Sequence, residues 1–244
     1  MKYYADSPGH LITAVLCALC LVAVFPLSVL SEEVFLHDDF NDLENWKPLY
    51  FPKIKKHSLY YIEKNGAESY LKAESHASAS ARVLKKEFNV FEYPKVRWRW
   101  KTDNIYEKGN AEEKSGDDYP LRLYVLFKYD PEEASIGEKI KYELAKTFYG
   151  EYPPYRSLNY IWESRKHEKN IVASPYAQES MMIILQAGEE NVGKWMVQEI
   201  NIVDDYHKAF GEDPRAVAIV AIMNDSDDTA ESSVSYFDYI EIYR

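Results

Sequence analysis

The segment Lys95–Thr102, with the sequence KVRWRWKT, alternates cationic and apolar side chains. Because successive side chains of a β-strand point to opposite faces, Trp98 and Trp100 share one face and the cationic side chains share the other. This alternation predicts a strand that buries its tryptophans in a hydrophobic core. Two interpretations stay open for the other face: Arg97 and Arg99 are solvated, or they line a concave sheet surface and pair with an anionic ligand or with acidic loops.

The same period-two pattern recurs from Glu32 onward, between polar breaks that contain Asn, Asp, Gly and Pro. We predict about eleven strands, at residues 34–38, 58–62, 69–74, 81–90, 95–102, 121–129, 158–164, 180–187, 194–202, 216–223 and 234–243. Strands and helices do not alternate regularly, which argues against a doubly wound α/β sheet. The pattern predicts an all-β fold, a jelly-roll-like β-sandwich.

Two segments interrupt the strands with helical spacing. Residues 132–149 place apolar side chains four residues apart, which is typical of a helix laid over a sheet edge. These side chains are Ile136, Ile140, Leu144 and Phe148. Residues 204–210 begin with acidic side chains and are followed by Gly211, a common helix stop. We therefore predict one or two short helices.

Residues 11–30 form an uncharged apolar segment that contains both cysteines of the chain, Cys17 and Cys20. The segment could just cross a ~30 Å bilayer core as a helix, but Pro26 interrupts it. Val29 and Ser31 occupy the −3 and −1 positions of a possible signal-peptidase site after Ser31, which favours a cleaved signal peptide over a retained anchor. We predict that residues 1–31 are this signal or anchor. Residues 32–244 then form one β-sandwich domain without cysteine, exported to the periplasm or cell envelope.

Composition restricts the partners of the chain. It has 29 Lys+Arg against 40 Asp+Glu, a formal net charge of −11, without a block of clustered cations. We therefore expect no nucleic acid partner, because phosphate binding needs clustered cations, and we expect membrane contact only through the N-terminal segment. Apolar content of 46% and aromatic content of 15% exclude a disordered chain.

One acidic loop precedes the predicted strand at residues 121–129, and another follows the predicted strand at 216–223. Their carboxylates are Asp117 and Asp118 in the first loop, and Asp225, Asp227 and Asp228 in the second. Carboxylate and carbonyl oxygens are the ligands that Ca²⁺ requires, so the second loop is a candidate calcium site, although it lacks the Gly and distal Glu of an EF-hand. The alternative is that these side chains only supply turn hydrogen bonds.

Arg122 follows the first acidic loop and projects from the face opposite its leucine neighbours. If Arg97 and Arg99 share that face, the guanidinium groups and the acidic loop form a polar site of mixed charge; the same cluster could be purely structural. Tyr160 and Trp162 share a strand face that either stacks on sugar rings or belongs to the core. The predicted ligand-binding residues are Arg97, Arg99, Asp117, Asp118, Arg122, Tyr124, Asn159 and Trp162.

Several motifs together resemble a bacterial exported family, domain-of-unknown-function family 3047. They are Asp38-Asp39-Phe40 with Trp46, Phe51-Pro52-Lys53-Ile54, residues 73–80, Arg97-Trp98-Arg99-Trp100, Gly116-Asp117-Asp118 leading into Arg122-Leu123-Tyr124-Val125, Leu158-Asn159-Tyr160-Ile161-Trp162, Phe210-Gly211-Glu212-Asp213-Pro214, residues 225–229 and Tyr236-Phe237-Asp238-Tyr239-Ile240. The family has no established activity, so the resemblance implies no reaction. The first and last motifs are also similar to the terminal strands of jelly-roll carbohydrate-binding modules, which pair with each other and often carry a structural calcium nearby; this is an analogy of fold.

Enzyme motifs are scarce in the sequence. It contains no Gly-x-Ser-x-Gly elbow, no His-Glu-x-x-His and no Gly-rich phosphate loop. This favours a non-catalytic, exported protein that binds a glycan or a small anionic ligand. Two alternatives stay open: a carbohydrate-active hydrolase or lyase that uses Asp117, Arg122 and Asp225, and a structural envelope protein whose polar clusters hold the fold. No motif indicates the oligomeric state.

Overall fold

In the computed structural model, residues Lys95–Thr102 form the strand that the sequence predicts, and their side chains alternate between buried and half-buried. That structure describes residues 1–3, 32–66, 68–149 and 152–244. The predicted signal or anchor at residues 11–30 lies outside the described residues. Within the described part of the chain, no helix is both long and apolar enough to span a bilayer.

The described residues contain fourteen strands and two α-helices. The strands are β1 (Val34–Asp38), β2 (Trp46–Leu49), β3 (Leu59–Asn65), β4 (Glu68–His76), β5 (Ala79–Leu84), β6 (Phe88–Asn89), β7 (Lys95–Thr102), β8 (Arg122–Phe127), β9 (Arg156–Glu163), β10 (Ile171–Ala173), β11 (Ser180–Ala187), β12 (Met196–Asn201), β13 (Val217–Asp225) and β14 (Ser232–Tyr243), and the helices are α1 (Ile136–Tyr149) and α2 (Ile202–Phe210). The predicted all-β fold is confirmed. The structure has three more strands than predicted, because β2 and β10 were not predicted and the predicted strand at 81–90 is divided into β5 and β6. Strands β2 and β10 have four and three residues, too few to show a clear alternation.

The strands form two sheets. The first sheet has the order β12-β7-β14-β4-β3, with β1 also paired to β14. The second sheet has the order β10-β11-β9-β8-β13-β5-β2, with β6 also paired to β13. The pairs within them are antiparallel except for β9 and β11, which run parallel. Strands β1 and β14 bring the two ends of the domain together, with Val34 opposite Tyr243.

The sheets face each other across one aromatic core, which makes the fold a jelly-roll-like β-sandwich. Trp98 of β7 meets Tyr160 of β9 at 5.8 Å between ring centroids, and Trp100 meets Trp162 at 6.0 Å. All four side chains are fully buried. A tryptophan that buries ~150–250 Å² at ~25 cal/mol per Å² contributes about 4–6 kcal/mol, so these contacts are a main source of stability.

Helix α2 follows β12 directly and confirms the predicted second helix. The side chain of its N-cap residue, Asn201, accepts hydrogen bonds from the backbone N–H groups of Val203 and Asp204. The helix ends at Gly211, whose φ of 75° is the left-handed conformation that glycine adopts without strain.

Helix α1 begins at Ile136, later than the predicted residue 132, because Ser135 and Glu138 form a reciprocal capping box. The prediction that the apolar stripe of this helix packs over a sheet edge is wrong. Ile136, Ile140 and Leu144 are 80%, 67% and 60% exposed. The predicted fourth member, Phe148, has no described side chain.

The helix is instead attached through Tyr142, which is buried and stacks on Tyr129 at 3.8 Å. The Tyr142 hydroxyl donates to the carbonyls of Pro154 and Tyr155. Spacing by four predicted the helix, but an aromatic residue outside that series makes the contact.

Candidate functional site

The outer face of the second sheet, turned away from the aromatic core, carries several predicted site residues. On β8, Leu123 and Val125 enter the core, so Arg122 and Tyr124 project from the outer face. Tyr124 lies opposite Asn159 of β9 in the strand register. Arg122, Tyr124 and Asn159 are therefore brought together on one sheet face.

Two small apolar clusters cover parts of this outer face. Ala111 and Tyr119, from the loop before β8, pack on Ile161 with Met182 and Ile184. Leu49 at the end of β2, with Phe51 and Ile54 after it, packs around Met223, Tyr124, Ala79 and Ala81. Beneath these two apolar clusters, Arg122 and Asn159 are almost completely buried.

The loop before β8 is held in a tight path by glycine and by backbone hydrogen bonds. The Asn110 N–H donates to the Gly116 carbonyl at 2.8 Å. A Cβ atom on Gly116 would lie 2.7 Å from the backbone of Lys108 and Asn110, so a side chain there does not fit. This packing fixes Asp117 and Asp118 directly after Gly116.

We define the acidic cluster as Arg122 together with the five aspartates Asp117, Asp118, Asp225, Asp227 and Asp228. Arg122 supplies the one guanidinium group of this cluster. Its side chain is 5% exposed and contacts the Asp225 carboxylate through Nη2. Its Nη1 lies 3.9 Å from the Asp117 carboxylate, which also accepts a 2.9 Å hydrogen bond from the Tyr119 hydroxyl. The two acidic loops predicted from the sequence therefore meet at this arginine.

The remaining aspartates have distinct partners. Asp118 accepts a 2.6 Å hydrogen bond from the Thr229 N–H, and Asp228 accepts one from the Tyr176 hydroxyl at 2.8 Å. Asp118, Asp225 and Asp227 each place one carboxylate oxygen within 4.8 Å of the others. Of the three predicted metal ligands, Asp225 and Asp227 belong to this group, whereas Asp228 pairs with Tyr176.

Burial dominates the electrostatics of the cluster. It raises the pKa of Asp117 to about 6, although Arg122 and the Tyr119 hydroxyl act in the opposite direction. Burial also raises the pKa of Asp227 and that of Asp228. The cluster holds more carboxylates than its single guanidinium can neutralise, so it is suited to bind a proton or a cation.

An open cleft of about 520 Å³ lies on another part of the same outer face. Its floor includes Val83, Leu126 and Ile219, from the neighbouring strands β5, β8 and β13. The other lining residues are Lys47, Pro48 and Leu49 of β2, with Glu87, Phe127, Lys128, Tyr129, Tyr152, Pro153, Pro154 and Ala218. It shares no residue with the acidic cluster and does not contain Tyr124 or Asn159.

The other predicted site residues lie elsewhere. Arg97 and Arg99 project from the outer face of the first sheet, where Arg97 pairs with Glu241 at 2.6 Å and Arg99 pairs with Asp238 at 2.9 Å. They do not join Arg122, which belongs to the second sheet. Trp162 is fully buried in the core between the sheets.

The carboxylates at the paired terminal strands are also occupied by protein donors. Asp38 accepts hydrogen bonds from the Phe40 N–H, the Asn45 amide and the Trp46 indole N–H, at 2.9 to 3.0 Å. Asp38 therefore ties β1 to the start of β2, and its hydrogen bonds account for both of its oxygens.

Residues 44–241 match the family described as Protein of unknown function (DUF3047). The chain belongs to this family. The match confirms the family resemblance that the sequence motifs predicted. No curated protein matches the chain.

Several solved structures are similar to this DUF3047 protein at low identity. A family 11 carbohydrate-binding module from Clostridium thermocellum, in complex with a β-1,3-1,4-mixed-linked tetrasaccharide, is 10% identical with a TM-score of 0.39 and covers 86% of this chain and 95% of its own. Endoglucanase 3 of family GH12 from Trichoderma harzianum is 7% identical with a TM-score of 0.40, covering 82% and 99%. The family 11 xylanase from Neocallimastix patriciarum is 10% identical with a TM-score of 0.35, covering 85% and 98%.

Sequence reasoning did not identify the cleft of this DUF3047 protein. Its lining residues come from separate segments, and most belong to ordinary strands. The Tyr152-Pro153-Pro154 segment was the available signal, because adjacent prolines give a rigid, extended wall beside an aromatic ring.

A buried pair at the end of β9 was also missed. The Glu163 carboxylate is fully buried and lies 3.8 Å from the His167 ring. Burial raises the pKa of Glu163, although the Arg165 N–H and His167 favour its ionised form. A histidine four residues after a glutamate was the available sequence signal.

Proposed function

We propose that this chain binds a glycan in the cleft of the second sheet and does not catalyse a reaction. The cleft of about 520 Å³ is the observation that carries the proposal. Its volume lies within the range of about 300–1,000 Å³ that is typical of small-molecule sites. Because it crosses neighbouring strands and is open to solvent, it can hold part of a longer chain of sugars.

The lining of the cleft has the two kinds of surface that a sugar ring requires. Leu126 and Ile219 form an apolar floor, and the Tyr152 ring contributes to a wall, as platforms for the C–H faces of sugars. Lys47, Lys128 and Glu87 supply donors and acceptors for hydroxyl groups. Lys128 is paired with Glu87 at 2.8 Å, which favours a neutral glycan over a small anion.

The distribution of carboxylates favours binding over hydrolysis. Most glycoside hydrolases use two carboxyl groups, about 5 to 9.5 Å apart, on either side of the scissile bond. Among the described residues that line the cleft, Glu87 is the only carboxylate. Asp117 and Asp225 lie outside the cleft and are less than a tenth exposed, so a polysaccharide cannot reach them without a rearrangement of the loops.

A glycan array followed by isothermal titration calorimetry on the purified full-length chain tests the proposal. We expect Tyr152→Ala and Lys128→Ala to weaken binding of the best oligosaccharide by about tenfold or more, because each removes part of the wall or rim. Trp195→Ala is the matched control, since the Trp195 ring lies against the ring of Tyr70, a residue of the first sheet, at 5.3 Å between ring centroids.

Three results would contradict the proposal in different ways. Binding that survives both cleft substitutions but is lost in the Trp195 variant would move the site to the first sheet. A panel of envelope and plant polysaccharides without any ligand would refute glycan binding. New reducing ends or unsaturated sugars after incubation would replace the binding function with hydrolase or lyase activity.

We also propose that the chain is exported and acts in the periplasm or cell envelope. The apolar segment at residues 11–30 and the small residue Ser31 support this. N-terminal sequencing of the protein recovered from the periplasmic fraction should begin at Glu32. A soluble cytoplasmic protein that begins at Met1 would overturn the export proposal.

A further inference from the structure

We propose that Asp118, Asp225 and Asp227 bind one calcium ion. One carboxylate oxygen from each residue lies within 4.8 Å of the others. Ligands at about 2.3–2.6 Å on opposite sides of a calcium ion are separated by roughly 4.6–5.2 Å, so the three oxygens can share one ion. The site shares no residue with the cleft and does not depend on glycan binding.

An unpartnered oxygen of Asp118 is the second observation. The residue is 1% exposed, and one of its oxygens accepts the Thr229 N–H. The other oxygen, Oδ1, is buried and accepts no hydrogen bond from the described residues. Buried carboxylate oxygens are normally satisfied, because an ionised group without partners is costly to bury. A bound cation satisfies this oxygen.

The charge balance of the cluster points in the same direction. The cluster holds five carboxylates and one guanidinium, that of Arg122, which contacts Asp225 and lies 3.9 Å from Asp117. Among the described residues, no lysine forms an ion pair with the cluster, and Lys108 instead donates to the carbonyl of Thr229 at 2.9 Å. One guanidinium leaves several negative charges without compensation, and a divalent ion reduces that excess.

The donor set indicates calcium among the biological cations. All three ligands are carboxylates, which are hard donors and suit calcium, magnesium or manganese rather than zinc or copper. Calcium accepts six to eight oxygens in irregular geometry, whereas magnesium demands a near-ideal octahedron. Ligands from two separate loops, beside an arginine that already engages Asp225, provide an irregular arrangement. Waters and backbone carbonyls would complete the coordination.

Calcium titration of the chelator-treated, full-length chain tests this site. We expect calorimetry to give one Ca²⁺ per chain and the melting temperature to rise with Ca²⁺ concentration. Asp227→Asn should weaken Ca²⁺ binding by at least about tenfold, and Asp118→Asn should do the same. Asp227 is half-buried, so its variant keeps the test valid if the buried Asp118 variant fails to fold.

Asp238→Asn is the matched control, because Asp238 pairs with Arg99 on the first sheet. It should bind Ca²⁺ as tightly as the wild-type chain. The proposal fails if millimolar Ca²⁺ gives neither heat nor a thermal shift, or if Asp238→Asn loses as much affinity as Asp227→Asn. Tighter binding of Mg²⁺ than of Ca²⁺ overturns the choice of ion.

Discussion

Replacement of Arg122 by methionine should be among the most destabilising single substitutions on the outer face of the second sheet. The side chain is 5% exposed, contacts Asp225 and lies 3.9 Å from Asp117. It also packs over the Tyr119 ring at 4.8 Å. Methionine keeps much of the volume but removes the only guanidinium among the clustered carboxylates.

The magnitude follows from the burial of these carboxylates. Removal of one partner from a buried ion pair costs about 3–5 kcal/mol, because it leaves an uncompensated charge out of water. In a domain of this size, 1 kcal/mol shifts the melting temperature by about 2–4 °C. Arg122→Met should therefore lower the melting temperature by roughly 6–20 °C.

Urea unfolding followed by tryptophan fluorescence, in the presence of EDTA, measures this cost without a contribution from cations. Arg97→Met is the control, because Arg97 pairs with Glu241 on a partly exposed surface and should lose about 1 kcal/mol or less. Equal free energies of unfolding for the two variants would refute the argument that Arg122 compensates buried charge. Saturating Ca²⁺ should recover part of the Arg122→Met loss, because the proposed ion supplies positive charge to the same carboxylates.

Three further predictions concern a buried acid, a loop and a helix surface. Burial raises the pKa of Glu163, so the ionised form of this side chain destabilises the fold at neutral pH. Glu163→Gln should therefore raise the free energy of unfolding at pH 7. Urea unfolding at a series of pH values should show this gain disappear as the pH falls below about 4.5. Gly116→Ala should lower the free energy of unfolding by about 1–3 kcal/mol, because the new Cβ would lie 2.7 Å from backbone atoms. Gly137→Ala, in open space on α1, should raise it by about 0.5–1 kcal/mol. Urea unfolding that shows a loss of stability in both variants, or in neither, contradicts this prediction. Ile140→Ser should change the free energy of unfolding by less than about 0.5 kcal/mol, because Ile140 is 67% exposed. Tyr142→Ala in the same helix should lower it by about 3 kcal/mol, because Tyr142 is buried. Calorimetric melting that reverses this order would disprove the observed packing of α1.

The strand pattern was the most predictable part of the molecule. Segments 34–38, 95–102 and 180–187 were predicted with the bounds that the structure has. Each of these segments has at least five residues and is rich in β-branched, aromatic or long apolar side chains, in some cases alternating with polar ones. Such a segment gives a strong sequence signal for a strand. The short strands β2 and β10 were not predicted, because three or four residues do not define a period.

Periodicity gives the face of a residue within its strand but not the sheet to which that strand belongs. Arg97, Arg99 and Arg122 all lie on outward faces, as the alternation predicts, yet β7 and β8 are in different sheets. The cluster of three arginines proposed from the sequence therefore does not form. The same limit applies to Trp162, because both faces of β9 are buried and its sequence does not distinguish the core side from the covered outer side.

Helix α1 shows a different limit, since the length of a helix is a local property and its packing is not. The capping residues Ser135 and Glu138 define its start, and both are visible in the sequence. Which face meets the domain depends on Tyr129, whose ring lies in a position set by the end of β8. A stripe of aliphatic residues is then left exposed, and hydrophobicity alone gives no warning of it.

The acidic cluster required one more piece of information than the sequence offers, namely the pairing of β8 with β13. These strands are antiparallel neighbours, with Arg122 opposite Met223 in the register. The start of one antiparallel strand meets the end of its neighbour. The residues just before β8 must therefore meet those at the end of β13, and Asp118 comes close to Asp225 despite a separation of more than 100 residues in the chain. Two loops that are each ordinary turns in sequence become, through this pairing, a single partly buried group of carboxylates that one arginine cannot neutralise.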